Sequence, residues 1–223
     1  MENDMDRDAL IQHVRGVIDR LVRDGAVIAK ADGTRHTIFP VAISAKDGDV
    51  LRKWVVHEGA RHTIEIGLGY GMSALYICEG LVANGHADAC HVVVDPFQTS
   101  RFADCGLQAI EEAGLRFLVE HHVEKSHFVL PRLLSEGRRF SLGFVDGNHH
   151  FDGVFLDLYY LGLLVQRGGI IILDDYRLPG IRRAVAFFVT NLNWIIEESS
   201  EDWVVLRTAS EADNRHFTYF VEF

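Results

Sequence analysis

The sequence predicts an α/β protein. We expect a doubly wound, mostly parallel sheet with helices on both faces, an antiparallel C-terminal part and an N-terminal helical cap. Three observations carry this. From Thr63 onward, strand-like apolar runs alternate with segments of helical period. Two of those runs, VVV and IIIL, are apolar on both faces, as strands covered by helices on each side are. Between Thr63 and Leu75, TIEIGLGYGMSAL reads as strand, glycine turn and helix. That arrangement lets backbone N–H groups approach a ligand with no Cβ in the way.

The elements follow in order. Residues 8–24 repeat apolar positions at helical spacing (Leu10, Val14, Val17 or Ile18, Leu21) and stop near Gly25. Ser44-x-x-Asp47 reads as a capping box opening a second helix through Val50, Leu51, Trp54 and Val55. Strands are predicted at 63–66, 91–95, 116–120, 141–145 and 169–173, and helices at 72–84, 103–114, 127–136, 151–166 and 180–191. The helix over 151–166 places Phe151, Val154, Phe155, Leu158, Leu161 and Val165 on one face, and Gly168-Gly169 suits a left-handed stop feeding a strand. Runs at 194–199, 203–208 and 217–223 are strand-like with no helix between them, so antiparallel pairing is expected. Without repeats, low-complexity tracts or linkers, the chain reads as one domain over 1–223, with a cap at 1–58 and a core at 59–223.

Composition narrows the function. The chain has 223 residues, 48% hydrophobic and 24% charged, the balance of an ordinary globular protein. A net charge of −10 argues against a nucleic-acid partner, which calls for a basic face. Cys78, Cys90 and Cys105 are widely spaced and form no C-x-x-C, the usage of a reduced cytoplasmic protein. No apolar run reaches the ~18 residues of a membrane span, and the acidic start MENDMDRD is not a secretory signal. The 12 histidines show no H-x-x-x-H or H-E-x-x-H zinc spacing. His13, His57, His62, His86 and His216 read as ordinary surface or satisfied core imidazoles, as do His121 and His122 at a strand end.

Ligands of an open parallel sheet bind beyond the carboxyl ends of its strands. Acids stand at those ends here: Glu65 before Gly67, Asp95 after VVV, Asp146 after GFV, and Asp174-Asp175 after IIIL. A carboxylate such as Asp95 is placed to accept from both hydroxyls of a ribose, although capping the next helix also suits it. Asp146, Asp174 and Asp175 cannot converge without a counter-charge, because like charges raise each other's pKa. A hard cation such as Mg²⁺ would supply it; Asp174 or Asp175 also suits a helix cap. The turn itself is G-x-G-x-G (Gly67, Gly69, Gly71), not the G-x-G-x-x-G of dinucleotide folds.

From Ser44 to Val189 the chain resembles the class I S-adenosylmethionine-dependent methyltransferases, in their catechol O-methyltransferase-like branch with macrocin-type sugar O-methyltransferases. The matching residues are EIGLGYGMSA from Glu65, the VD of Asp95, VDGNHHFD around Asp146, and LLVQRGGIIILDDY through Asp174 and Asp175. The resemblance implies a seven-stranded Rossmann-like sheet. It implies that Glu65 and Gly67 to Gly71 border the cofactor's methionine moiety, that Ser73 contacts its carboxylate, and that Asp95 holds the ribose. Ser126 would lie near the adenine, and Asp146 would serve both cofactor and metal. The metal ligands would be Asp146, Asp174 and Asp175, holding Mg²⁺ or another divalent cation. Catechol O-methyltransferases carry a lysine three residues after the first metal aspartate; here His149 stands there. A histidine is a competent general base near neutral pH, with His150 as second choice.

The expected activity is O-methylation of a small-molecule hydroxyl, with a diol or catechol-like acceptor preferred and a homo-oligomer compatible. The alternatives are a metal-independent methyltransferase of the same fold and a non-catalytic cofactor-binding protein.

Overall fold

The computed structural model describes the backbone of residues 2–223 and the side chains of 7–223. The acidic start read above falls mostly on residues 1–6, whose side chains lie outside the described ones. By its internal contacts the chain divides into two compact units, residues 1–125 and 126–223.

The first unit opens with α1 (Glu2–Asp24), a hairpin of β1 (Ala26–Ile28) and β2 (Arg35–Thr37), and α2 (Ala45–His57). It continues with β3 (His62–Ile66), α3 (Met72–Asn84), β4 (Cys90–Val94), α4 (Gln98–Phe102), α5 (Cys105–Glu112), a short 3₁₀ turn (Arg116–Leu118) and β5 (Val119–His122). The Ser44 cap forms as read: its hydroxyl oxygen accepts from the Asp47 N–H at 3.3 Å. Strands β3, β4 and β5 are parallel; β3 from Thr63 and β4 from His91 are buried, with Ile64, Ile66 and Val92 to Val94 as their apolar residues, whereas β5 after Val119 is half-buried. Helix α3 packs against α1 and α2 and is buried from Met72 through Leu81, so it needs no polar face. Its one acid, Glu79, is 1% exposed. Arg15 of α1 reaches it at 2.7 Å and Arg52 of α2 at 3.3 Å, so a buried charge ties both helices of the cap to α3.

The second unit holds α6 (Ser126–Ser135), β6 (Phe140–Val145), α7 (Phe151–Leu164), β7 (Val165–Leu173), α8 (Pro179–Leu192), β8 (Ile195–Ser199) and β9 (Val204–Arg207). Strands β6 and β7 are parallel, whereas β9 pairs antiparallel with both β7 and β8. The hydrogen-bonded order is β5-β4-β3-β6-β7-β9-β8, the expected seven-stranded, mostly parallel sheet.

Five expectations change. The cap contains the β1–β2 hairpin, missed although Asp32-Gly33 marks a turn. The helix over 103–114 shortens to α5, starting at Cys105 because Ala103 and Asp104 both take positive φ, and a separate short helix, α4, precedes it. Strand β5 begins at Val119, because 116–118 wind into the 3₁₀ turn. Residues 217–223 form no strand. The side chain of Asn191 takes the place of a neighbouring strand there, accepting from Val221 N at 2.8 Å and donating to Val221 O at 2.9 Å. Gly168 does take a left-handed φ of 71°, but within β7 and not as the stop of α7, which ends at Leu164.

Candidate active site

The glycine turn lies between β3 and α3. Gly67, Gly69 and Gly71 have φ of 93°, 51° and 83°, the region side chains avoid. Gly71 caps α3, and a Cβ there would meet the Gly106 carbonyl oxygen of α5 at 2.8 Å. The turn is fixed at one end by the Gly67 N–H, which donates to Val94 O at 2.9 Å.

Asp95 follows β4 directly and is 3% exposed. Its Oδ2 accepts from Leu68 N and Gly69 N, both at 3.1 Å, and from Gln98 Nε2 at 2.8 Å; its Oδ1 accepts from Phe97 N at 2.8 Å. The carboxylate expected at a ribose is thus also the clasp of the glycine turn. Gln98 completes the clasp by donating to Gly69 O at 2.8 Å. With both acceptors on its nitrogen, Gln98 turns its buried Oε1 toward Gly106, without a hydrogen-bond partner. The sequence offered no sign of this role beyond a glutamine three residues after the acid.

Glu65 is fully buried. Its Oε1 accepts the hydroxyl of Ser73 in the first turn of α3, and its Oε2 lies 2.9 Å from Nε2 of His91 on β4. Burial pushes the neighbouring Cys78 thiol well up, with Glu65 adding to the shift. His91 escaped the sequence reading because its partner Thr63 becomes visible only in the β3–β4 register.

In the second unit, Asp146 follows β6, and Asp174 and Asp175 follow β7. The Asp174 N–H donates to Val145 O at 3.1 Å, extending the parallel pair by one residue. Asp175 takes a left-handed φ of 54°, which turns it away from its predecessor. Ligand atoms of Asp146, His149 and Asp175 come within 4.8 Å of one another, and Asp174 is not in this group. His149 Nε2 lies 3.3 Å from Asp146 Oδ1, and its Nδ1 lies 3.2 Å from Asp175 Oδ2. Arg177 pairs with the other oxygen of Asp175 and, at 2.9 Å, with Asp202. The hydrogen bond to Asp146 raises the His149 pKa above 6.5, burial opposes it, and the charge of Asp175 adds to the rise.

A base three residues beyond Asp146 would stand at the start of α7. His149 sits one residue before the cap instead: α7 starts at Phe151, His150 is its N-cap residue, and the His150 N–H donates to Asn148 Oδ1 at 3.0 Å. His150 is not in the acid–imidazole group. Ser126 is the first residue of α6, and its hydroxyl is hydrogen-bonded to Asp157 of α7. Asp157 is 2% exposed, and desolvation pushes its pKa to about 6 against the pull of that bond.

As a donor set, two carboxylates and an imidazole fit a divalent cation, and the imidazole widens the choice from Mg²⁺ toward Mn²⁺ and its neighbours. No helix among the described residues is long and apolar enough to cross a membrane.

A family model described as a methyltransferase domain matches residues 64–176, from within β3 to just past the Asp174-Asp175 pair. No curated protein matches the chain in sequence. Among solved structures, the O-methyltransferase TomG from Streptomyces achromogenes, in complex with S-adenosylmethionine and involved in tomaymycin synthesis, aligns at TM-score 0.65 and 22% identity. That alignment covers 76% of this chain and 82% of TomG. An O-methyltransferase from Bacillus cereus in complex with S-adenosylhomocysteine aligns at TM-score 0.66 and 18% identity, over 90% of this chain and 91% of that one. The S-adenosylhomocysteine-bound methyltransferase PaMTH1 from Podospora anserina aligns at TM-score 0.62 and 18% identity, over 90% and 88%. These likenesses share the fold, and the match over 64–176 spans the glycine turn and all four acidic strand ends. The chain belongs to the methyltransferase-domain family, whose class I branch its motifs resemble.

Proposed function

We propose that the protein transfers a methyl group from S-adenosylmethionine to a hydroxyl of a small molecule, with a divalent cation assisting, as a single domain acting in the cytoplasm. The observation that carries the hydroxyl and the cation is the acid–imidazole group of Asp146, His149 and Asp175. The solved structures of like fold that hold S-adenosylmethionine or S-adenosylhomocysteine support the donor.

Bound, S-adenosylmethionine supplies a methyl carbon on a sulfonium, which an acceptor oxygen takes in one in-line displacement while the C–S electron pair returns to sulfur. In this reading the glycine turn and the first N–H groups of α3, which lack intrahelical partners, receive the methionine end. Asp95 keeps the turn in shape beside the ribose. His149 takes the acceptor's proton, and Asp146 and Asp175 are the groups that would hold a cation beside it. Such a cation would lower the acceptor's pKa and fix its position. Asp174 stays in the proposal as an outer partner of that site. The chain's charge of −10 supports a small acceptor over a nucleic acid.

A second reading has its own observation. Arg177 and His149 already answer the charge of Asp175, so a metal-independent transferase of the same fold is self-consistent. Calorimetric titration with S-adenosylmethionine, followed by turnover with Mn²⁺, Mg²⁺ or a chelator, tests both. Cofactor binding with chelator-sensitive turnover supports the first reading. Turnover untouched by chelator selects the second, and absence of cofactor binding removes both.

A further inference from the structure

Four polar side chains meet inside the first unit, on one face of the β3–β4 pair. Thr63 and Glu65 are two apart on β3 and so share a face, and the register sets His91 of β4 beside Thr63. Thr63, Glu65 and His91 have no solvent exposure, and Ser73 has 5%. The imidazole bridges the two β3 residues, with Nδ1 at 2.9 Å from Thr63 Oγ1 and Nε2 at 2.9 Å from Glu65 Oε2. Ser73 closes the chain on Glu65 Oε1.

Hydrogen accounting fixes the direction of each bond. A carboxylate only accepts, so Ser73 donates its hydroxyl proton and Nε2 of His91 carries a hydrogen. Thr63 has one partner for its own proton, the Nδ1 lone pair. A proton on Nδ1 would leave that hydroxyl hydrogen buried without an acceptor, at a cost of about 1–3 kcal/mol. The chain therefore runs Thr63 to His91 to Glu65, with His91 in its Nε2–H form and Ser73 donating from the other side. An imidazole in the interior of a parallel sheet is itself unfavourable unless bonded at both nitrogens, which is the arrangement present.

We infer that His91 is a positioning residue for the methyl-donor site: through Glu65 it fixes the side-chain rotamer and proton direction of Ser73 beside the glycine turn. What Ser73 meets rests on the methyltransferase reading; the relay itself does not.

The test uses the full chain and calorimetry with S-adenosylhomocysteine. His91→Leu, which leaves Glu65 Oε2 without its donor, weakens binding about tenfold, the equivalent of one lost hydrogen bond. Two amides then separate positioning from packing, since glutamine reaches the Nε2 position and asparagine only the Nδ1 position. His91→Gln returns affinity to within about threefold of wild type, and His91→Asn does not. In a Ser73→Ala background the His91→Leu penalty shrinks to about twofold or less, because the group being positioned is gone. Nitrogen NMR of the histidine-labelled wild type needs no variant to fold, and it shows the Nε2–H tautomer, with a shift on adding the ligand. Equal penalties for glutamine and asparagine, an undiminished penalty in Ser73→Ala, or an Nδ1–H tautomer overturn the inference alone. A wild-type chain that does not bind S-adenosylhomocysteine overturns the methyltransferase reading, and this role with it.

Discussion

The carboxylates of the two units live in opposite circumstances. Glu65 and Asp95 are 0% and 3% exposed, and their oxygens are taken by backbone N–H groups, an amide, a hydroxyl and an imidazole of their own surroundings. Asp146 and Asp175 keep 17% and 13% of their side chains exposed, and their partners include the half-open His149 and Arg177. A buried carboxylate met by fixed neutral donors is expensive to rearrange, whereas an ion pair with an exposed side chain is worth little and is easily exchanged. The first pair is built to hold the glycine turn in one shape. The second is built to change partners, which is what binding a cation or moving a proton requires.

Removing a member of the second group breaks this contrast most sharply. Asp175→Ala and Asp146→Ala are expected to abolish cation-stimulated turnover while cofactor affinity stays within about tenfold, ~1.4 kcal/mol. A steady-state assay with added Mn²⁺ beside a calorimetric titration checks this, and retained stimulation contradicts it. His149→Gln should lower turnover by about 10²–10⁴, the usual contribution of a general base. Because its neighbours raise the His149 pKa, the metal-free wild-type rate should climb with pH through a midpoint above 6.5. A variant with wild-type rate and pH profile would take the role from His149.

Asp157 probes burial without function. Its folded pKa is raised from 3.8 to about 6, so the folded state holds a proton that the unfolded chain gives up first. Stability is then full below pH 3.8 and falls as pH rises toward and through 6, by about 3 kcal/mol at the upper limit. Asp157→Asn should therefore raise Tm at pH 8 and change little at pH 4; an equal shift at both would show that the carboxyl is not strained by burial.

Asp95→Ala should weaken S-adenosylmethionine by about 1.5–3 kcal/mol. From its strand-end position alone the fold would be expected to escape unharmed. With the Leu68, Gly69 and Phe97 N–H groups losing their acceptor, urea unfolding should also show a loss of about 1–3 kcal/mol. Loss of affinity with unchanged stability would make Asp95 a ligand group and not a clasp. The smallest effect is expected for Arg177→Gln. Freeing one oxygen of Asp175 should tighten Mn²⁺ binding by about two- to fivefold, since exposed pairs are worth less than ~1 kcal/mol. A weaker site would mean that Arg177 supports the cation and does not compete with it.

The sequence showed where the chain turns and where its acids stand. The apolar runs of β3, β4, β6 and β7 and the glycine turn are local signals, and all lie where the period and the turn residues put them. What escaped depends on neighbours distant in sequence. Nothing local distinguishes a β4 histidine that bonds Thr63 and Glu65 from one that is merely buried. The same holds for 217–223, whose alternation of aromatic and polar residues is that of a strand. That segment has strand-forming residues, and a side-chain amide answers the one residue whose ladder bonds are seen. At the second site the family resemblance pointed to Asp146, His149, Asp174 and Asp175; the side chains of the first two gather with Asp175, the one of the two adjacent aspartates with a left-handed φ, an arrangement no spacing reveals.

The Asn191 contact has a consequence for how this molecule wears. A segment docked by a ladder leaves only when the sheet opens, but the contacts of residues 217–223 with α8 are the Asn191 amide and the edge-on packing of Phe223 against Phe187, with Arg183 over its ring, among the described residues. Their detachment is a local event with a free energy far below global unfolding. A protease should trim this segment in the folded protein, leaving β8 and β9 paired and the melting temperature little changed. Asn191→Ala should speed that trimming severalfold at constant global stability. Residues 217–223 are thus a part of the molecule that ageing or storage would attack while the sheet stays closed.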